Sequence, residues 1–226
     1  SYMHKARHEV NLPADGNVPA GTKIVMMSDM HLGYHNGRRE LARWVDMVNA
    51  ERPDIVLIAG DVVDGSLRPL LDEDMAAELR RIEAPVYACL GNHEYYSGID
   101  GSVDFYRKAG LTLLRDSAAA VGGIVIVGRD DRSNPRRKSI GALMRGVDKS
   151  KYVILLDHQP YHLEQAERAG VDFQFNTEVT NVIFDFHDGK KVAKTIECKV
   201  KGKEQKIALT ENDGIISICD PCCGGG

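Results

Sequence analysis

Four short polar motifs, each set directly behind a near-continuous apolar run, constrain this chain more than any other feature of its 226 residues. The run from Lys23 to Ser28 leads into Asp29-Met30-His31, and that from Asp54 to Ala59 into Gly60-Asp61-Val62-Val63-Asp64. The run from Pro85 to Leu90 leads into Gly91-Asn92-His93-Glu94, and that from Lys151 to Leu156 into Asp157-His158-Gln159-Pro160. Runs of this kind fit strands covered on both faces. Between them, Leu41, Trp44, Val45 and Val48 recur at helical spacing within 37–51, and Met75, Leu79 and Ile82 do so within 72–83. Pro160 is placed to open a further helix that Gly170 closes. Strands alternating with helices imply an α/β fold with parallel pairing. Ligands of such sheets sit beyond the carboxyl ends of the strands. Asp29, Asp61, Asn92 and His158 are therefore expected together at one edge of one sheet.

Carboxylates, an amide oxygen and imidazoles gathered at one place suit a pair of divalent cations, and such a pair suits hydrolysis of phosphate esters. Taken singly, each motif has a plainer reading. An Asp after a strand is usually a helix N-cap, Gly-Asp is usually a turn, and a lone His is usually an ordinary hydrogen-bonding group. Four in this order make those readings improbable together.

From about residue 22 to 172 the chain resembles the calcineurin-like metallophosphoesterases. The pattern of that family is D-x-H, G-D-x-x-D, G-N-H-[DE], a lone His and G-H-x-H, and the first four elements are present in order. The resemblance implies a layered sheet with flanking helices and two divalent ions, which are manganese, iron or zinc. It implies Asp29 and His31 on the first ion, Asp61 bridging both, and Asn92 and His158 on the second. His93 would sit beside the attacked phosphate and assist the leaving oxygen, oriented by Asn92 and Asp61, with Asp64 and Glu94 behind the ligands. Physical chemistry agrees: a carboxylate has two oxygens with which to bridge, and water between two dications ionises near neutral pH. A neutral Asn92 oxygen keeps the site from becoming too anionic. Histidine ligands need an acceptor that fixes their tautomer, and either Asp64 or Glu94 is available for that.

The fifth element, G-H-x-H, is missing. An ungapped count from Ala169-Gly170 brings Glu178 near the position of its first His and Thr180 near the second. Glu178 offers an oxygen ligand, although its alternation with Val179 also suits an exposed strand position. Residues from about 171 to 217 instead resemble a segment of the FAD-dependent oleate hydratases. The likeness is carried by Phe175 to Val182, Asp188 to Ala193 and Ile207 to Asp213. It makes 171–175 the junction of two unlike pieces, a 1–172 domain and a 173–226 tail. Period-two alternation in 179–186 and 192–200 reads as a hairpin around Asp188-Gly189, with a third strand at 205–209, so the tail is an atypical C-terminal β meander. No G-x-G-x-x-G follows a strand, so FAD is not expected.

A formal charge of -4 gives no reason to invoke nucleic acid, and no apolar stretch is long enough to span a bilayer. Relatives of this sort often carry membrane segments ahead of the phosphoesterase domain, so a trimmed anchor before Ser1 is in keeping with the resemblance. Location is cytoplasmic or membrane-peripheral on the same ground. Of the five cysteines, Cys89 reads as core, while Cys219, Cys222 and Cys223 read as a frayed terminus. Arg7 to Leu12 reads as an edge strand. The basic loop from Arg129 to Lys138 either guides an anionic substrate or is a solvated surface loop. The second is favoured, because Asp130 and Asp131 dilute its field. Tyr95 and Tyr96 either line the cleft or cap a packing surface.

The expected function is metal-dependent hydrolysis of a small-molecule or lipid phosphomonoester or phosphodiester, impaired by the missing histidines. The alternatives are a catalytically inactive metal- or anion-binding scaffold and a fatty-acid hydratase fragment without flavin.

Overall fold

The computed structural model describes residues 18, 21–159 and 168 in full, and the backbone of strands at 7–10, 177–187, 190–200, 203–208 and 216–219. In chain order the elements begin with β1 (Arg7–Val10), β2 (Ile24–Met27), α1 (Arg38–Ala50), β3 (Ile55–Ala59), α2 (Arg68–Asp72), α3 (Met75–Leu79) and β4 (Val86–Cys89). Next come α4 (Asn92–Tyr96), α5 (Ile99–Lys108), β5 (Thr112–Leu113), β6 (Ser117–Val121), β7 (Ile124–Gly128), α6 (Ile140–Met144) and β8 (Tyr152–Leu156). The last are β9 (Thr177–His187), β10 (Lys190–Val200), β11 (Lys203–Ala208) and β12 (Ile216–Cys219).

The apolar runs do form strands, but they are divided between two sheets. β2, β3 and β4 pair in parallel within a six-stranded sheet of order β1-β12-β2-β3-β4-β5, whereas β8 pairs with β7 in a separate sheet of order β6-β7-β8. The expectation of a single sheet edge is corrected accordingly. The reason lies in the period of two along each strand. Val25, Met27, Val56, Ile58 and Ala88 face the helical layer, packing with Leu41 and Val45 of α1 and Met75 and Leu79 of α3. Their neighbours Ile24, Ile55, Leu57 and Cys89 face Ile124, Ile126 and Leu156 of the second sheet. Val125 and Val127, on the outer face of β7, are covered by Ile140, Leu143 and Met144 of α6. The layers run helix, sheet, sheet, helix. Continuous hydrophobicity thus marks strands covered on both faces in β2, β3 and β4, as read from the sequence, but the cover on one side is another sheet, and β8 is half-buried except at Leu156.

Leu41, Val45 and Val48 are the buried stripe of α1, as their spacing predicts. The second helical pattern is realised only in part, by α3, which takes in Met75 and Leu79 but ends before Ile82; α2 precedes it, almost wholly outside that pattern. Asp74 between them has φ 47°, a left-handed conformation that Asp tolerates better than most residues and that no continuous helix passes through. The helix expected from Pro160 to Gly170 lies outside the described residues, Arg168 excepted. β1 is an edge strand as expected.

Beyond residue 172, β9, β10 and β11 form the expected antiparallel meander. β12 departs from expectation. It lies within the main sheet, antiparallel to β1 and parallel to β2, with Ile216 opposite Ile24 and Ile218 opposite Met26. Cys219 therefore ends a strand rather than a frayed terminus, while Cys222 and Cys223 lie outside the described residues. Among the described residues no helix is long and apolar enough to cross a membrane.

Ile58, fully buried in β3, tests this layering. Ile58→Ala is expected to lower unfolding free energy by about 2–5 kcal/mol in urea titrations. Met47→Ala, on the exposed side of α1, is expected to change it by less than about 0.5 kcal/mol.

Candidate metal centre

The chain leaves β2 and β3 through two turns that bond to each other. Asp29 N–H donates to Gly60 O at 3.2 Å, His31 N–H to Asp61 O at 3.0 Å and Leu32 N–H to Val62 O at 2.8 Å, and Asp64 N–H returns to Leu32 O at 3.0 Å. Within this ladder Asp29, His31 and Asp61 all have positive φ, at 53°, 45° and 52°. Left-handed backbone at residues with side chains is uncommon and concentrates at functional sites. The flanking glycines are required by space. A Cβ on Gly60 would stand 2.8 Å from Gly91 N and from the His158 ring, and one on Gly91 would overlap the Asp61 carboxylate.

Glu94 ties the turns after β3 and β4 together. It is fully buried. Its Oε1 accepts from Val62 N–H at 2.7 Å, Val63 N–H at 3.2 Å and the Tyr106 hydroxyl at 3.0 Å. Its Oε2 accepts from Gly91 N–H at 2.7 Å and Asp61 N–H at 3.1 Å. Glu94 therefore holds backbone and fixes no histidine. Asp64 takes that part for His93, with Oδ1 2.8 Å from Nδ1. For His158 the Nδ1 partner is the Ala59 carbonyl at 2.7 Å, a backbone acceptor that sequence reasoning passed over.

Asp61 is the centre of the cluster. Its Oδ1 accepts from His93 N–H at 2.9 Å. Its Oδ2 faces three imidazoles, with Nε2 of His158 at 3.1 Å, of His31 at 3.8 Å and of His93 at 3.9 Å. Asp29 Oδ1 lies 3.7 Å from His31 Nε2, and its other oxygen accepts from the Ser28 hydroxyl. Two sets of three ligand atoms lie within 4.8 Å of one another: Asp29, Asp61 and His158, and His31, Asp64 and His93. These sets cut across the ligand pairing that the family resemblance implies. Asn92 Oδ1 accepts from the Gln159 side-chain amide at 2.6 Å, which joins α4 to the turn after β8. Donors about 2.0–2.2 Å from one ion stand roughly 3–3.5 Å apart; the His158–Asp61 pair has that spacing, the other contacts are a few tenths of an ångström wider, and oxygens with imidazole nitrogens suit divalent cations in chemistry.

The cluster thus brings together Asp29, His31, Asp61, Asn92, His93 and His158, with Asp64 and Glu94 beside them. Glu178 lies on β9, in the sheet of order β11-β10-β9, and its side chain is outside the described residues. Gln159, Gly60 and Gly91 are the contributors that sequence reasoning left without a role. The Gly-Asp and Gly-Asn pairs were the available signal for the glycines.

The electrostatics follow from these contacts. Burial opposes a charged His158, but the Asp61 carboxylate, the Ala59 carbonyl and Asp29 outweigh it and raise the imidazole to about 9. His31 is raised by its contact with Asp29, against burial and with further help from Asp61. Burial works against ionisation of Asp29, yet His31, Ser28 and His158 hold it below the usual carboxylate range.

The 129–138 loop is a solvated surface loop in its outer part, where Arg132, Ser133, Pro135, Arg136 and Lys138 are exposed, but not at its root. Arg129, Asp130 and Asp131 at its root are buried. Asp130 accepts from the Tyr95 hydroxyl, Arg115 Nε and Asn134 Nδ2, each at 2.7 Å. Arg129 and Arg137 hold the two oxygens of Asp157 at 3.0 and 3.3 Å. The loop is pinned between α4 and the turn that carries His158. Tyr95 belongs to this packing, and burial with the Asp130 contact raises its hydroxyl to about 12. Tyr96 is exposed, with its ring beside His93.

Two outcomes test this geometry. Glu94→Ala leaves four backbone N–H groups in the interior without their acceptor, and is expected to cost about 4 kcal/mol or more in urea unfolding. For His158 the folded pKa lies above the unfolded one, so in metal-free protein its contribution to stability is full below about pH 6.5 and is lost as pH rises through about 9. Cation binding needs the neutral imidazole. Manganese uptake at pH 7 is therefore expected to release protons, measured by calorimetry in buffers of different ionisation enthalpy, and that release is expected to fall in His158→Ala.

The chain is similar to several known proteins. The family model for calcineurin-like phosphoesterases matches residues 22–193. An uncharacterized metallophosphoesterase of Aquifex aeolicus is 38% identical over 155 residues, covering 63% of this chain and 58% of that protein. A transmembrane protein with metallophosphoesterase domain from Danio rerio is 31% identical over 160 residues, covering 65% of this chain and 37% of its own. The chain thus spans less than two thirds of the length of either relative. Among solved structures, a 5'-nucleotidase precursor from Thermus thermophilus aligns at 18% identity and a TM-score of 0.43, over 84% of this chain and 55% of that one. By the family match across most of its length, the chain belongs to the calcineurin-like phosphoesterases.

Proposed function

We propose that this chain hydrolyses a phosphomonoester or phosphodiester of a small molecule or lipid, using two divalent cations held where the turns after β2, β3, β4 and β8 meet. The observation that carries the reading is the convergence of three imidazole Nε2 atoms on the free oxygen of one buried carboxylate, Asp61. Asp29 and His31 would hold one cation, Asn92 and His158 the other, and Asp61 both. Bound there, manganese, iron or zinc supplies Lewis acidity toward the phosphoryl oxygens and acidifies the attacking water.

The remaining steps belong to the protein. With Asp64 accepting from Nδ1, His93 presents Nε2 to the cluster and can carry the proton that the leaving oxygen takes. The backbone N–H of His93 fixes Asp61 by occupying Oδ1. The Gln159 amide donates to Asn92 Oδ1, and that oxygen keeps a second lone pair with which to bind a cation. The G-H-x-H element is absent from the sequence, and the loss of its two histidines weakens turnover. That same absence favours a second reading, a scaffold that binds a cation or anion without turnover. The likeness of residues 171–217 to oleate hydratases supports a separate origin for the tail.

The test is metal content after purification, together with hydrolysis of bis(p-nitrophenyl) phosphate in added manganese. Turnover is expected, and Asp61→Asn is expected to abolish both turnover and metal retention. His93→Ala is expected to keep the metal while losing about 10²–10⁴ in kcat. Metal retention without turnover would favour the scaffold reading. A protein that holds no divalent ion at all would sink both.

A further inference from the structure

The proposed hydrolysis leaves one conspicuous neighbour of His93 without a task. α4 carries His93 and Tyr96 three residues apart, and residues at that spacing share a helix face. Their rings meet edge-on, with centroids 5.5 Å apart and planes at 61°. The His93 ring in turn lies 4.5 Å from that of His31. The other side of α4 is fixed to the protein. Glu94 is fully buried, and Tyr95 packs against the core and bonds to Asp130. The short helix therefore cannot roll to bury Tyr96, whose residue surface stays 72% exposed.

A lone exposed tyrosine is ordinary. Tyr96 differs in what it adjoins. Its ring borders the imidazole placed to serve the leaving oxygen, so a phosphoryl group bound between His31 and His93 would bring its ester substituent toward an uncovered aromatic ring held at a fixed distance. Aromatic rings favour other rings in edge-to-face or offset contact, and a pre-positioned ring loses little conformational entropy in making one.

We propose that Tyr96 is a specificity-determining residue that receives the leaving-group side of the substrate, and that the site prefers phosphoesters of ring-bearing alcohols to those of short alkyl alcohols. The inference rests on the proposed phosphoester hydrolysis and adds the class of substrate.

The test is binding, so that it does not depend on turnover. Phenylphosphonate and methylphosphonate share the anionic head and differ only in the ring. Calorimetry on the manganese-loaded full chain is expected to show phenylphosphonate binding more tightly by about three- to tenfold, the range that one aromatic contact supplies. Tyr96→Ala is expected to remove that preference while leaving methylphosphonate affinity and manganese content unchanged, and Tyr96→Phe to keep it. A preference that survives Tyr96→Ala would overturn the proposal. Equal loss of affinity for both phosphonates in that variant would overturn it too, since the ring would then only prop His93. If wild-type protein binds both phosphonates without preference, this inference fails and the phosphoester reading stands. If manganese-loaded protein binds neither, both fail.

Discussion

The site depends on one buried carboxylate that touches no substrate. Glu94 accepts from the backbone of residues 61, 62, 63 and 91 and from Tyr106. An ionised carboxylate can be retained in the interior only when its lone pairs are filled, and here five donors fill them. The same donors would otherwise be unpaired N–H groups at the ends of two parallel strands, where no ladder continues. Each side solves the other's problem. The result is a rigid junction between the turns after β3 and β4. From that junction Asp61 is presented, and the backbone N–H of His93 closes on Asp61 in return.

With that junction set, the strained backbone becomes intelligible. Asp29, His31 and Asp61 occupy left-handed conformations, which cost of order 1–3 kcal/mol each when nothing compensates. The inter-turn bonds between residues 29–32 and 60–62 supply the compensation, and the glycines at 60 and 91 remove the methylene groups that would hold the turns apart. Local strain, close approach and buried charge therefore form one arrangement, in which relaxing any member would spread the ligand atoms.

Much of this was legible in the sequence. The apolar runs before residues 29, 61, 92 and 158 located the strands, and the residue types at their ends located the ligands. The division into two sheets was not legible, because Tyr152 to Leu156 has the same composition whether its cover is a helix or a sheet. The parts of Asp64 and Glu94 could not be told apart either, since both are acids a few residues from a ligand. Only the fold shows that one meets an imidazole and the other five backbone and hydroxyl donors. The end of α3 at Leu79 was hidden because the buried Ile82 continues its apolar spacing. The buried root of the 129–138 loop was hidden for the opposite reason: a run of charges reads as solvated until its partners, Arg115, Tyr95 and Asp157, are brought to it from distant parts of the chain.

That loop carries the last step of the structural logic. β8 belongs to the second sheet, so nothing in the main sheet's hydrogen bonding fixes where His158 points. Two contacts supply the missing constraint. His158 Nδ1 reaches across to the Ala59 carbonyl at the end of β3, and Asp157 is gripped from the other side by Arg129 and Arg137. Buried ion pairs of this kind add little net stability, because desolvation offsets their attraction. Burial in fact raises the Asp157 carboxyl above its usual range, with the arginines opposing that rise and Asp131 adding to it. Among the described residues Asp131 Oδ2 has no hydrogen-bond partner, a further cost in the same place. What the arrangement gains is position: a carboxylate held by two guanidinium groups leaves the following residue little freedom of direction. The cost of burying charge beside β8 is thus consistent with a need to aim one imidazole, across the gap between two sheets, at Asp61.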